Sequence, residues 1–252
     1  MKLLVTADWH ADQRSLGHAR FGDVDRAVRQ MVSCAADEAC AAFLFLGDLC
    51  NPDGGSGVVR CCELAVSAAL ALQRAGVDSF WLAGNHDVIE DGSRDTSLSP
   101  LRPLASAKDS LVHVFEQPGV AHLYELGGKA SRCVTFLALP FTATSHPYRP
   151  EGFVREKLEK VRPGPLVVMS HLSVGGVQPG EETTDMPRGR DVLFPHECFP
   201  QGRLNTTLLQ GHYHAAQVFR RGGLCDVVIP GAPVRLTFAD EQRKPSFVVL
   251  EV

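Results

Sequence analysis

Apolar residues in this chain gather in short runs, and five of those runs lead straight into a residue able to bind a cation. Residues 2–7 (KLLVTA) lead into Asp8. Ala42–Leu46 leads into Gly47-Asp48, and Phe80–Ala83 into Gly84-Asn85-His86-Asp87. Leu166–Met169 leads into Ser170-His171, and Thr206–Gln210 into Gly211-His212-Tyr213-His214. Short continuous apolar runs bounded by turn residues are the pattern of strands buried on both faces. Between the first three runs the period changes to 3.6. Val24, Ala27, Val28, Met31, Val32 and Ala35 predict a helix that Asp23 is placed to cap. Val58, Cys62, Ala65, Ala69 and Leu72 predict a second helix, after a loop at 51–57 (NPDGGSG). The first third is therefore βαβαβ, which predicts parallel strands with right-handed crossovers.

The remainder is richer in strands. Leu111–Phe115, Ala121–Leu126, Cys133–Leu139, Val218–Arg220, Asp226–Ile229 and Phe247–Leu250 read as strands, and Gly152–Val161 as a short helix. Residues 172–203 are rich in glycine and proline and read as a long loop. Many strands with few helices favour an α/β sandwich over one doubly wound sheet. The expected architecture is two mixed sheets flanked by helices, in four layers αββα. No repeat or linker divides the chain, so residues 1–252 read as a single catalytic-size domain.

Composition narrows the function classes. A net charge of −4 argues against a broad basic surface, so contact with nucleic acid would rest on local patches or bound metal. No apolar run approaches the roughly 20 residues that span a bilayer. The N-terminal run lacks the layout of a signal peptide. The eight cysteines include the adjacent pair Cys61-Cys62 but no CxxC spacing. They read as buried, reduced thiols, which places the protein in the cytoplasm with no membrane association.

The chemistry lies where the apolar runs stop. Ligands at the carboxyl ends of neighbouring strands converge on one crevice in open α/β sheets. Residues two apart in extended backbone share a side, so Asp8 with His10, and His212 with His214, can face that crevice. Adjacent residues point apart, so Asn85 can bind a metal while His86 faces a substrate. The glycines before Asp48, Asn85 and His212 are expected to let the backbone turn sharply there. Carboxylate, amide and imidazole donors without thiolate suit manganese, iron or zinc and disfavour a structural zinc site. Taken singly, each motif is more often a turn cap or a hydrogen-bonded ring. Five of them in order, each at a strand end, make coincidence a poor explanation.

The pattern DxH…GD…GNHD…H…GHxH resembles the signature of the calcineurin-like metallophosphoesterases over almost the whole chain. Within that superfamily it is most similar to the SbcD-type DNA repair exonucleases. Residues 6–10 (TADWH) and 230–241 (PGAPVRLTFADE) add to the likeness. The resemblance implies that Asp8, His10 and His214 bind one divalent metal, and that Asn85, His171 and His212 bind the other. It implies that Asp48 bridges the two, and that His86 acts on the substrate without being a ligand. Two metals per chain are expected, foremost Mn2+, with Fe2+ or Zn2+ as alternatives. Asp87 would orient His86 or cap the following turn.

SbcD-type proteins continue into a capping domain and a segment that docks on an ATPase, whereas this chain is expected to end just after the last strand of the catalytic domain. The likeness implies DNA as substrate, an SbcC-type ATPase partner and a homodimer. A phosphodiesterase or phosphatase acting on a small, cyclic nucleotide is the alternative. A non-catalytic interaction protein on the same fold fits less well with a full ligand set. Arg14, His18, Arg94, Arg149 and Arg235 are the candidate phosphate contacts. Trp9 and Phe21 are expected to be packing and not base-stacking groups, and His113, His122, His146 and His196, outside the motifs, to be structural or surface residues.

Overall fold

The computed structural model describes residues 1–51, 55, 57–89, 95–117, 122–126, 133–142, 149–161, 164–177, 192–199, 206–221, 225–237 and 240–252. The first third is built as the hydrophobic pattern requires. Strand β1 (Lys2–Thr6) leads through a short hairpin, β2 (Arg14–Ser15) and β3 (His18–Ala19), into helix α1 (Phe21–Asp37). Then come β4 (Ala42–Phe45), α2 (Gly57–Arg74) and β5 (Asp78–Leu82). A one-turn helix, α3 (Arg102–Ala105), precedes β6 (Val112–Phe115). Strands β1, β4, β5 and β6 pair in parallel. The last strand, β13 (Val248–Glu251), closes this sheet antiparallel to β1, with Lys2 opposite Glu251.

The second sheet holds β7 (His122–Leu126), β8 (Val134–Leu139), β9 (Leu166–Ser170), β10 (Thr206–Gln210), β11 (Gln217–Arg221) and β12 (Cys225–Ile229). Its order is β11-β12-β10-β9-β8-β7. The four inner strands are parallel, and β7 and β11 are antiparallel edges. Helix α4 (Pro150–Lys160) crosses between β8 and β9.

Alternation along the strands sorts the side chains into layers. Leu3, Val5, Leu44, Phe80 and Leu82 meet Phe136, Val167, Met169 and Leu209 between the sheets. Leu4, Phe43, Phe45 and Trp81 point the other way, onto Val24, Val28 and Met31 of α1 and Leu64, Ala68 and Leu72 of α2. Leu137, Leu166, Val168 and Leu208 pack outward against Val154 of α4 and against Val192, Phe194 and Phe199. The result is the four-layer sandwich of two mixed sheets.

Two local expectations are corrected. Asp23 does not cap α1, because the helix begins earlier, at Phe21, with Arg20 in the cap position. Asp23 instead lies in the first turn, pairing with Arg20 at 3.0 Å and Arg26 at 3.6 Å, where its charge suits the helix dipole. The stretch 172–203 is not all loop. Its described parts include a 3-10 turn at His196–Cys198 and a bridge between Ser173 and Leu193, and they cover the outer face of the second sheet. The β2–β3 hairpin and α3 are too short to leave a periodic signal. Among the described residues, no helix is long and apolar enough to cross a membrane, and seven cysteines are free thiols.

Beneath the strand ends Trp9, Phe43, Phe45 and Trp81 form one aromatic cluster, with the Trp81 centroid 5.8 Å from Trp9 and 5.4 Å from Phe45. Both indoles are fully buried, and each N–H donates to a hydroxyl, Trp9 to Thr6 and Trp81 to Ser79, at 3.0 Å. Trp9 is therefore a packing residue, as expected. Truncating Trp81→Ala should cost about 3–5 kcal/mol, through lost burial and the cavity left behind. Urea unfolding followed by circular dichroism measures this, and a loss under about 1 kcal/mol would contradict the packing described.

Candidate metal centre

The strands that carry the predicted ligands end together. Beyond β1 and β4 the two chains stay bonded: Asp8 N–H donates to Gly47 O at 2.9 Å, His10 N–H to Asp48 O at 3.0 Å, and Ala11 N–H to Leu49 O at 2.8 Å. In the second sheet Gly211 N–H donates to Ser170 O at 3.0 Å. Backbone amides also bond from sheet to sheet. His212 N–H donates to Asp8 Oδ1 at 2.9 Å, and Phe141 N–H to Ala83 O at 3.0 Å.

The backbone here departs from extended geometry. Seven non-glycine residues are described with positive φ, and four are candidate ligands: Asp8 (54°), His10 (40°), Asp48 (63°) and His212 (79°). Such conformations cost of order 1–3 kcal/mol each and persist only where surrounding bonds over-determine them. Asp8 and His10, and likewise His212 and His214, are therefore brought together by turned backbone and not by the alternation of an extended chain.

Of the three glycines, one acts as expected and two do not. Gly47 takes a positive φ of 105° and turns the chain. Gly84 is extended, with φ −96° and ψ −174°, and is needed for space. A Cβ on Gly84 would strike Asp48 Oδ1 and lie 2.7 Å from both Asp48 N and His171 Cε1. A Cβ on Gly211 would strike Leu46 O and lie 2.8 Å from His171 Nδ1. A Cβ on Gly47 would strike His171 Nδ1 and lie 2.8 Å from the Gly84 backbone.

Seven side chains converge across this seam. His10 Nε2 and His214 Nε2 face each other at 3.1 Å. Asn85 Oδ1 lies 3.1 Å from His171 Nε2 and 2.9 Å from His212 Nδ1. Asp48 Oδ2 is 3.6 Å from His10 Nε2 and 3.3 Å from His171 Nε2. Donor atoms of Asp8, His10 and His214 lie within 4.8 Å of one another, and so do those of Asp48, His171 and His212. Donors about 2.1 Å from a shared cation sit roughly 3.0–3.4 Å apart at octahedral or tetrahedral angles, so these spacings fit cation coordination.

Hydrogen bonds aim the donors. His171 Nδ1–H donates to Leu46 O at 2.6 Å, which leaves Nε2 toward Asp48. Asp48 Oδ1 accepts His86 N–H at 2.9 Å, which turns Oδ2 toward the two histidines. Tyr213, between the two histidines of its motif, points away. Its hydroxyl accepts Val174 N–H at 2.9 Å and donates to Val174 O at 3.3 Å. Gln210 donates to Leu172 O at 2.6 Å and Gly211 O at 2.9 Å. The sequence motifs single out neither of these supports. The one signal for Tyr213 is its place between two residues that share a side.

Charge follows the same lines. Burial pushes His10 down to about 3, with the imidazoles of His214, His86 and His171 adding to the effect and Asp48 opposing it, so the ring is neutral and offers a lone pair. Burial opposes the charged forms of both Asp48 and His171, but their mutual attraction outweighs it. Asp48 is held well below the usual carboxylate range, and His171 is raised to about 9. A cation-free protein thus keeps a proton on His171 Nε2, where a donor set would present a lone pair to a cation.

His86 is exposed at the rim, its ring centroid 4.9 Å from that of His10. Asp87 does not bond the His86 ring among the described contacts. It is fully buried and caps backbone amides. Burial and the nearby charge of Asp48 push its carboxyl up to about 6.

The candidate phosphate contacts are less gathered. Arg14 and His18 are exposed on the β2–β3 hairpin, and Arg14 donates to Gly17 O within it. Arg149 is exposed at the start of α4, and exposed Arg235 donates to Arg243 O at 3.0 Å. Arg94 and His146 lie outside the described residues, as does the side chain of His122. His113 pairs with Asp78 at 2.8 Å, and Phe21 carries the Arg60 guanidinium 4.2 Å over its ring.

Comparison with known proteins agrees with this fold. The chain is 23% identical to the SbcD subunit of the nuclease SbcCD of Escherichia coli, over 99% of this chain and 64% of that protein, so it spans less than two thirds of its relative's length. A dimetal phosphatase from Danio rerio superposes with a TM-score of 0.58 at 13% identity, covering 99% of this chain and 91% of that one. A purple acid phosphatase from yellow lupin (Lupinus luteus) gives 0.58 at 13%, covering 93% and 46%. The calcineurin-like phosphoesterase family matches residues 1–216, and the chain belongs to that family of metal-dependent phosphoester hydrolases, whose fold uses a dinuclear metal site.

Proposed function

We propose that this chain is a two-metal phosphodiesterase that hydrolyses phosphodiester bonds in DNA, as a nuclease of the SbcD type. One observation carries the two-metal reading: Asp48 Oδ2 lies between His10 Nε2, at 3.6 Å, and His171 Nε2, at 3.3 Å. A carboxylate oxygen set between two donor groups suits a bridge, whose charge offsets cation–cation repulsion. Asp8, His10 and His214 would hold one cation, and Asn85, His171 and His212 the other, with Asp48 shared. Oxygen and imidazole donors suit manganese, iron or zinc, and manganese is put first on the likeness to the SbcD-type nucleases. Bound there, the pair supplies Lewis acidity that neutralises phosphate charge and lowers the pKa of the attacking water.

The protein's own part is positioning and proton transfer. The rim position of His86 beside His10 suits a group that touches the substrate, either bonding the phosphate oxygens in the transition state or giving a proton to the leaving oxygen. Water's oxygen forms the new P–O bond, the ester P–O bond breaks, and the leaving oxygen takes a proton. The whole chain is read as one catalytic domain in which β13 returns to β1. A cytoplasmic location, a homodimer and an SbcC-type ATPase partner belong to the same reading, and they rest on similarity to the E. coli nuclease.

A small nucleotide is the second reading. The net charge of −4 favours it, because a long polyanion gains from a basic track that the composition does not supply. The deciding assay offers manganese-loaded protein linear single- and double-stranded DNA, cyclic dinucleotides and 2′,3′-cyclic nucleotides. DNA degradation is expected, and cleavage of the small nucleotides alone would replace the nuclease reading with the second one.

His86→Ala should keep two metals per chain while turnover falls by about 10²–10⁴-fold. Elemental analysis beside the kinetics checks it, and metal loss in parallel with activity would make His86 a ligand. Cation binding must also displace the proton from His171. Its pKa is raised from 6.5 to about 9, so below about pH 9 the cation competes with that proton, and more strongly the lower the pH. Apparent affinity for one Mn2+ should therefore rise roughly tenfold per pH unit from about 6.5 to 9. Calorimetric titration in two buffers of different protonation enthalpy would detect the released proton. A pH-independent affinity would show that His171 does not bind the ion.

A further inference from the structure

Asp87 is the fully buried carboxylate that the proposed reaction leaves unused. Its Oδ2 accepts Asp48 N–H and Gly84 N–H, both at 2.8 Å. Its Oδ1 accepts Leu49 N–H at 2.9 Å and the Ser97 hydroxyl. One side chain thus collects the loop after β4, the loop after β5 and the segment that follows it. The opposite bond also exists, since Asp48 Oδ1 accepts the backbone N–H of His86. Each loop therefore holds the other through a carboxylate: Asp87 grips the backbone of Asp48, and Asp48 grips the backbone beside Asp87.

The geometry points to Asp87 as a positioning residue that fixes the bridging carboxylate relative to Asn85, and so sets the spacing of the two cation sites. This rests on the two-metal reading above. Asp48 sits at φ 63°, a conformation its own sequence does not favour, and the amide Asp87 holds is that of the strained residue itself. Without Asp87, three buried amides lose their acceptor, and the loop can relax toward ordinary φ. The Asp48 carboxylate would then swing off the line between His10 and His171. The site of Asp8, His10 and His214, none of which Asp87 bonds, would survive better than the shared position.

The test measures the metal pair as well as activity. Wild-type protein, Asp87→Ala, Asp87→Asn and Ser97→Ala are titrated with Mn2+, and electron paramagnetic resonance reports whether two ions share a bridge. In wild type, two ions and an exchange-coupled signal are expected. Asp87→Ala should keep one ion near wild-type affinity, bind the second about 10–100-fold more weakly and lose the coupled signal. Its kcat should fall by a similar factor, with KM within about threefold. Asp87→Asn keeps the size but only one acceptor oxygen, so it should fall between, which preserves the test if the alanine variant does not fold. Ser97→Ala removes only the hydroxyl and should keep the coupled pair. Two coupled ions at wild-type affinity in both Asp87 variants would overturn the inference while leaving the two-metal reading intact. One ion or none in wild type would instead overturn that reading.

Discussion

The centre depends on how closely three backbone segments approach the buried imidazole of His171. Gly47, Gly84 and Gly211 come from the ends of three strands in two sheets, and each presents bare backbone where a Cβ would overlap the ring or its neighbours. That contact lets His171 Nδ1–H reach Leu46 O across the seam between the sheets. It also brings Asn85 and Asp48 within about one coordination sphere of Nε2. A side chain at any of these glycines would part the sheets' upper edges. The interior of Leu44, Phe80, Val167 and Leu209 beneath them could not follow without losing contact.

Closing the seam forces unusual backbone. Asp8, His10, Asp48 and His212 all sit at positive φ, a combined cost of several kcal/mol at the usual 1–3 kcal/mol each. Bonds that cross from one motif to the next offset it: His212 to Asp8, His10 to Asp48, Asp48 and Leu49 to Asp87. The strain and its restraint are located in the same atoms. Donors held this way need little reordering when a cation arrives, which is how a rigid scaffold raises affinity. The same rigidity explains why a carboxylate and an imidazole can be left facing each other in the interior. Burial opposes both charges, and the attraction between His171 and Asp48 outweighs it.

Much of this was legible in the sequence because strands advertise themselves by apolar runs. A residue at the end of a buried parallel strand has its position nearly set by register: Leu3 opposite Ala42, Ala42 opposite Asp78. Asp8, Asp48 and Asn85 follow those strands and so had to come together. What was not legible is conformation within the turns. Alternation suggested extended backbone at Asp8 and His10, and the chain is left-handed there. A glycine reads the same in sequence whether it is needed for φ and space together, as Gly47 is, or for space alone, as Gly84 and Gly211 are. Asp87 read as orienting His86 or capping the following turn because sequence shows neighbours along the chain. Two of its four donors, Asp48 and Leu49, lie 39 and 38 residues away.

The division between what strands carry and what loops carry also separates the reaction from the substrate. Every candidate metal ligand stands within a few residues of a strand end, where sheet pairing dictates its place. Arg14 and His18 stand on the two-residue strands of the β2–β3 hairpin, Arg149 at a helix start and Arg235 outside any strand, all away from the ladders of the two large sheets. Arg14 and Arg235 bond backbone carbonyls near in sequence. Their charges thereby stiffen the loops that carry them. A fold of this kind can therefore keep one hydrolytic centre while its rims diverge, because changing a rim residue does not disturb the register of a strand. On the function proposed above, contacts between the sheets would specify the chemistry, and the choice of phosphate ester would fall to segments on which the sheets exert little constraint.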